Sequence, residues 1–270
     1  MFRTFALISL LCAATFNAHA AKTPQTAAGI YEDGLRYLKR GYFTKALETF
    51  QRVRTYYRDD PASVLAQLAI ADVHFRKGDY EQARYAYDEF ATYHPRHETM
   101  DYVVYRIGLS VYRRAPKMAG RDQAATRSAV NAWAGYEVRF PESQYLDEVQ
   151  QLRSRSRERL ALKELQIAQF YAQRDAWGAV KGRCEDLAQR YGDTTAMEPA
   201  LALLGEALHA WGDTEGAVGA RDRLMTDYPD SKWLKPLNSA MAKPAGTPPE
   251  ERAVFRPYRI QGGMQQPPAR

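Results

Sequence analysis

Cysteine is almost missing from this chain. Two occur in 270 residues, and one of them, Cys12, lies in an N-terminal apolar stretch. Without that stretch only Cys184 remains, so a disulfide-stapled fold and a cysteine-rich metal knuckle are excluded. Histidine is scarce as well. After residue 20 there are His74, His94, His97 and His209. The pair His94/His97 has a metal-like gap, but no carboxylate-rich set of further ligands stands beside it, so neither metal nor cofactor is expected. The chain has no Gly-x-Ser-x-Gly, no phosphate-binding loop and no His-Glu-x-x-His. No catalytic constellation is therefore predicted, and Cys184 is expected to be a core residue. Nor does any segment after the N terminus approach the ~18 consecutive apolar residues of a membrane-spanning helix. Charge of one sign is not concentrated. The 38 basic and 32 acidic side chains are spread along the chain, which favours acidic partners or an anionic surface and is no nucleic-acid signature.

What is present begins with an export signal over residues 1–20. Arg3 gives a positive start, residues 5–16 are almost wholly apolar, and Ala18-His19-Ala20 forms a small-x-small cleavage site. Cleavage after Ala20 is favoured over lipidation at Cys12, because Leu11 before that cysteine is too large. A lipid anchor stays an open alternative. At the other end, residues 241–270 are rich in Pro, Gly, Gln and Arg, a composition expected to be disordered.

Between these ends one pattern recurs. A Gly or Asp is followed five residues later by a small residue: Gly41/Ala46, Gly78/Ala83, Asp175/Val180 and Gly212/Ala217, with Ala129 alone in a third copy. The stops are Arg58 (with Pro61 just after), Pro95, Pro141, Gly192 and Pro229. This is the layout of helix–turn–helix repeats of the tetratricopeptide type. The expected fold is all-α, a right-handed superhelical solenoid of about five such repeats. In the first helix of a repeat a small residue precedes the turn by seven places: Gly34, Ala71, Ala168 and Gly205. In the second helix Ala46, Ala83, Ala129, Val180 and Ala217 are followed four residues on by Phe50, Tyr87, Trp133, Cys184 and Arg221. Positions i and i+4 share a helix face, so a buried seam is predicted in the first four copies. Arg221 ends it. A loop over 115–121 and a lengthened helix over 144–163 stretch the middle. The predicted division is repeats 1–3 over 26–141 and repeats 4–5 over 142–240.

Such arrays bind other proteins. Across the first three copies the first helix offers rungs in register: Tyr31, Leu68 and Tyr105; Leu38, Phe75 and Tyr112; Lys39, Arg76 and Arg113. An aromatic strip beside one cation per repeat suits a peptide with aromatic side chains and a free carboxylate. The candidate peptide-binding residues are thus Tyr31, Lys39, Phe75, Arg76, Tyr105, Tyr112 and Arg113. Core packing and solvated charge are the competing reading of the same residues. A second basic cluster, Arg153, Arg155, Arg157, Arg159 and Lys163, contains like-charge i, i+4 pairs. These call for answering carboxylates, either on an acidic partner or at Glu158 and Glu164.

The junctions between repeats carry a more specific signal. His94-Pro-Arg-His97 with Asp101, Tyr102, Tyr105, Gly108 and Leu109 resembles the repeat two–three junction of the BamD family of the outer-membrane β-barrel assembly machinery. So do Phe140-Pro-Glu-Ser143 with Tyr145 and Arg153, and Arg159, Glu164, Ala168, Tyr171, Arg174, Trp177, Val180 and Arg183. The resemblance implies a non-enzymatic assembly factor at the periplasmic face of the outer membrane. Its implied partners are the barrel-forming subunit, other complex members and the C-termini of unfolded outer-membrane proteins. It also makes Arg183 an interface candidate, beside Arg153 and Arg157. A periplasmic repeat adaptor of another envelope complex, for cell wall or secretion, is the alternative.

Overall fold

The computed structural model describes residues 25–247. The expected export signal, Cys12 and the part of the tail beyond 247 lie outside the described residues. Those described form twelve helices and no strand: α1 (Ala27–Lys39), α2 (Phe43–Tyr56), α3 (Pro61–Lys77), α4 (Tyr80–Tyr93), α5 (Met100–Arg114), α6 (Ala124–Ala132), α7 (Tyr136–Arg139), α8 (Leu146–Ala172), α9 (Trp177–Tyr191), α10 (Met197–Trp211), α11 (Thr214–Asp227) and α12 (Leu234–Met241). The fold is all-α and built of helix–turn–helix repeats.

The turn anchors do what their chemistry allows. Gly41, Gly78 and Gly212 have φ of 80°, 90° and 92°, and Asp175 takes 52° in the same left-handed region. A residue without a Cβ enters that region at little steric cost. In all four copies the second helix starts two residues later, at Phe43, Tyr80, Trp177 and Thr214. The predicted seam is buried: Ala46, Phe50, Ala83, Tyr87, Ala129, Trp133, Val180, Cys184 and Ala217 are 0–1% exposed. Arg221 leaves it and pairs with its neighbour Asp222.

The chain forms two compact units, one up to Val73 and one from His74 on. This cut runs within α3, whereas the repeat-based division was placed at 141. In the first unit α1, α2 and the first part of α3 enclose Ile30, Leu38, Phe50, Val53, Ala66, Ile70 and Val73. Thr26 caps α1 by accepting from the Gly29 N–H at 3.1 Å. Gly34 lets the helices cross closely, since a Cβ there would lie 2.5 Å from the Phe50 ring.

In the second unit α4 packs on α5, α5 on α6, α8 on α9, α9 on α10 and α10 on α11. The third repeat departs from its neighbours. No left-handed glycine opens it. The loop after α5 is closed instead by fully buried Gln123, whose Nε2 donates to the Met118 carbonyl at 2.8 Å and whose Oε1 accepts from Thr126. Its second helix is broken at Gly135 (φ 67°), giving α6 and α7. The break lets Tyr136 turn inward, where its hydroxyl donates to the Asp101 carbonyl at 3.0 Å. The lengthened connection and the first helix of repeat four are one helix, the 27-residue α8. A final helix, α12, covers the end of the array, with Leu237 set against Gly205.

Candidate functional site

The seven candidate peptide-binding residues fall in both units. In the first, Tyr31 is half-buried on α1 with its ring 5.5 Å from Phe50. Burial, then the carboxylates of Asp72 and Glu32, push its hydroxyl pKa up. Lys39 closes α1 and is exposed.

In the second unit Phe75 is half-buried and meets Tyr80 edge-on at 5.2 Å. Tyr105 is buried and stacked on Tyr145 at 4.7 Å with the rings 6° from parallel. Its hydroxyl pKa is pushed up to about 12, first by burial and then by the hydrogen bond to Glu148. Tyr112 is half-buried against Trp133, and the Arg159 guanidinium lies 5.7 Å over its ring. Arg76 and Arg113 are exposed, each in the last turn of its helix. The aromatic rungs therefore do packing work, as Tyr105 shows most fully, while the cations face solvent.

Arg106 organises this region and was not singled out from the sequence. Its guanidinium lies 4.2 Å over Phe75 and 5.0 Å over Tyr102, and its Nε donates to the Tyr102 hydroxyl at 2.8 Å. The i, i+4 spacing of Tyr102 and Arg106 is the one sequence signal that points to it. Stacking of a guanidinium on aromatic faces contributes roughly 0.5–2 kcal/mol.

Two arginines of the α8 cluster, Arg153 and Arg157, are answered from within the protein. Arg153 donates to Glu137 at 2.9 Å. Arg157 grips Asp193 through two nitrogens and also donates to the Arg190 carbonyl at 2.7 Å. Of the two alternatives open from the sequence, an acidic partner or Glu158 and Glu164, neither supplies the carboxylates that meet Arg153 and Arg157. Glu158 instead accepts from the backbone N–H of Thr195 at 3.0 Å, tying α8 to the start of α10. Glu164 accepts from Arg183 at 2.9 Å. Arg183 keeps a partly exposed side chain and borders an open depression with Tyr171, Glu185, Asp186 and Gln189. Asp193 lies 36 residues from Arg157 in a turn, and no local spacing marks it.

Among the described residues no group of three or more His, Cys, Asp or Glu side chains could hold a metal ion. No described helix is long and apolar enough to cross a membrane. Cys184 is buried, and burial pushes its thiol pKa up to about 12, so it is not a nucleophile at neutral pH.

Comparison with known proteins agrees with the junction residues. A family model described as YfiO, outer membrane lipoprotein, matches residues 23–223. The chain belongs to this family. The outer membrane lipoprotein match takes in all four turn anchors from Gly41 to Gly212 and ends before α12. The outer membrane protein assembly factor BamD of Xylella fastidiosa (strain 9a5c) is 28% identical over 215 residues, 76% of this chain and 74% of that protein. The BamD of Neisseria meningitidis serogroup B (strain MC58) is 26% identical over 215 residues, covering 76% and 80%. That of Vibrio cholerae is 26% identical over 205 residues, covering 73% and 85%. Among solved structures, the TPR2AB domain of yeast Sti1 in complex with pHSP90 is similar with a TM-score of 0.44 at 12% identity, over 80% of this chain and 83% of that one.

Proposed function

We propose that this chain is an outer membrane protein assembly factor, an accessory subunit of a multi-protein assembly complex rather than a catalyst. The observation that carries this reading is membership of the outer membrane lipoprotein family along residues 23–223. Relatives that share 73–76% of this chain are named outer membrane protein assembly factors in several genera. The protein works at the periplasmic face of the outer membrane. Repeats 4–5, residues 142–240, hold the barrel-forming subunit, with partly exposed Arg183 as a contact. Repeats 1–3, residues 26–141, receive the C-terminal segments of unfolded outer-membrane proteins. Such a segment ends in a carboxylate, and the exposed cations Arg76 and Arg113 are the groups that pair with it.

The test is affinity isolation of the tagged full chain from envelope extracts. Recovery of the barrel-forming subunit in stoichiometric amount is the expected result. Its reproducible absence, with a cell-wall or secretion complex enriched instead, overturns the assignment.

A further inference from the structure

Two cations of the α8 cluster are left over. Arg159 and Lys163 pair with no carboxylate among the described residues. The acidic side chains beside them on α8 are turned to other work: Glu158 holds Thr195 and Glu164 holds Arg183. Leu162, next to Lys163, is 38% exposed. Positions 159, 162, 163 and 166 share one face of the helix. At Gln166 that face meets the loop between α5 and α6, where a Cβ added to Gly120 would lie 3.6 Å from the Gln166 Oε1. Arg159 reaches the start of the same loop, with its guanidinium 5.7 Å over the Tyr112 ring near the end of α5.

The loop itself carries Lys117, Met118 and Arg121, all exposed. Met118 is 70% exposed, yet its backbone is fixed. Its carbonyl accepts from the Gln123 Nε2 at 2.8 Å and from the Arg121 N–H at 3.2 Å, and Gln123 is fully buried. The apolar side chain is thus held out into water by a buried brace. Neither Lys117 nor Arg121 pairs with a carboxylate among the described residues. Asp122 is the one acidic residue between Arg113 and Arg127, and its carboxylate accepts from the Ala124 N–H at 3.3 Å. The loop and the α8 face together present Lys117, Arg121, Arg159 and Lys163 beside two exposed apolar side chains.

We propose that this surface docks on an anionic phospholipid membrane. Met118 and Leu162 enter the headgroup region, Lys117, Arg121 and Lys163 pair with lipid phosphates, and half-buried Arg159 adds to the positive potential behind them. The side chains divide as a membrane interface requires. The flexible apolar thioether goes in, while the long cations lay their stems along the apolar boundary and keep their heads at the phosphates. The cations come from two elements and share no regular spacing. A fluid array of headgroups accommodates that, whereas a fixed set of carboxylates on a protein must match it. The contact sets which side of the second unit faces the bilayer.

Vesicle binding of the chain expected after cleavage at Ala20, residues 21–270, tests this. Neither a lipid anchor nor a partner protein takes part, so the outcome is independent of the assembly role. A nitrobenzoxadiazole probe is attached through Met118→Cys, and buried Cys184 leaves the label specific. Phosphatidylcholine vesicles with about a third phosphatidylglycerol should shift the probe emission to the blue and carry the protein in flotation. Pure phosphatidylcholine vesicles should do neither, and added salt should release the protein. Lys117→Glu with Arg121→Glu should lower the partition coefficient at least about tenfold, since each cation near an anionic surface contributes roughly fivefold. Met118→Asp should also lower it, and both variants should keep the circular dichroism of the native protein. The same probe through Val138→Cys, an exposed position on α7, should not shift. Absence of binding to the anionic vesicles, binding indifferent to these variants, or a shift at Val138 as large as at Met118 overturns the proposal. So does a response of the Met118 probe to poly-glutamate that vesicles do not reproduce, which means that an acidic protein is the partner.

Discussion

A Cβ built on Gly108 would lie 2.2 Å from the Trp133 indole. That indole is fully buried and held by its Nε1–H, which donates to the Tyr105 carbonyl at 3.2 Å. It has no free direction in which to yield. Gly108→Ala should lower the urea midpoint with an unchanged slope, corresponding to a loss of about 1–3 kcal/mol from overpacking. Helix propensity alone would favour Ala by ~1 kcal/mol, so the sign of the result separates packing from propensity. Gly182 is the control. It lies inside α9 with nothing within 4 Å of its added Cβ, and Gly182→Ala should be neutral or stabilising.

Among the described residues Asp175 occupies the one left-handed turn position that is not glycine, with φ 52°. An L-residue with a Cβ is strained there by roughly 1 kcal/mol. Asp175→Gly should therefore raise the melting temperature. Gly41→Ala, Gly78→Ala and Gly212→Ala should each lower it, since Ala is costly where φ is positive. Differential scanning calorimetry of the four variants checks both directions.

The grip of Arg157 on Asp193 predicts acid sensitivity. The Arg157 hydrogen bond holds the Asp193 carboxyl below the usual carboxylate range. A carboxyl with a lowered folded-state pKa contributes stability that is complete above its ordinary value and fades as pH falls through the folded one. The Asp193 side chain is 63% exposed, so solvent screening keeps the coupling below ~1 kcal/mol. A double-mutant cycle on Arg157→Ala and Asp193→Asn should give a coupling of that order at pH 7. At pH 2, in the same cycle, the coupling should vanish.

Cys184 offers a readout of unfolding. Its Sγ is buried and its thiol sits at about 12, so a disulfide-exchange reagent should not label the native protein at pH 7.5. Labelling should appear in denaturant and follow the opening of the α8–α10 region. Rapid labelling of the native protein would contradict the burial of the seam.

The features readable in the sequence are the local ones. The turn anchors depend on a single residue's φ preference, and the seam depends on i, i+4 spacing within one helix. Both can be seen without knowing the fold. The third repeat was not readable in the same way, because Gln123 and Thr126 replace a left-handed glycine with side-chain hydrogen bonds. No turn residue signals that. The surroundings of the aromatic rungs are hidden from the sequence for a related reason. Tyr105 reads as one rung of an open strip, yet Tyr145, forty residues later, stacks on it. Likewise the partners of Arg153 and Arg157, Glu137 and Asp193, come from other elements, which charge spacing along α8 does not reveal. The capping helix α12 has little local signal either, since it is only eight residues long and contains Pro236.

The division between packed aromatics and exposed cations separates two ways of receiving a client peptide. If the carboxylate terminus of an unfolded outer-membrane protein is held by charge, Arg76→Glu and Arg113→Glu should each weaken binding of a peptide ending in an aromatic residue. Reversal of one charge should cost five- to fiftyfold in Kd, about 1–2.3 kcal/mol, and the loss should shrink as salt is raised. Amidation of the peptide's C-terminus should weaken binding to the native protein and have little further effect on the variants. Arg114→Glu is the control one residue away, because Arg114 already pairs with Glu81 at 3.2 Å. Fluorescence anisotropy with the amidated and free-acid peptides measures all four proteins. Equal affinity of the native protein and both variants for the free acid would mean that these cations are only solvated, and that client recognition lies elsewhere on the repeats.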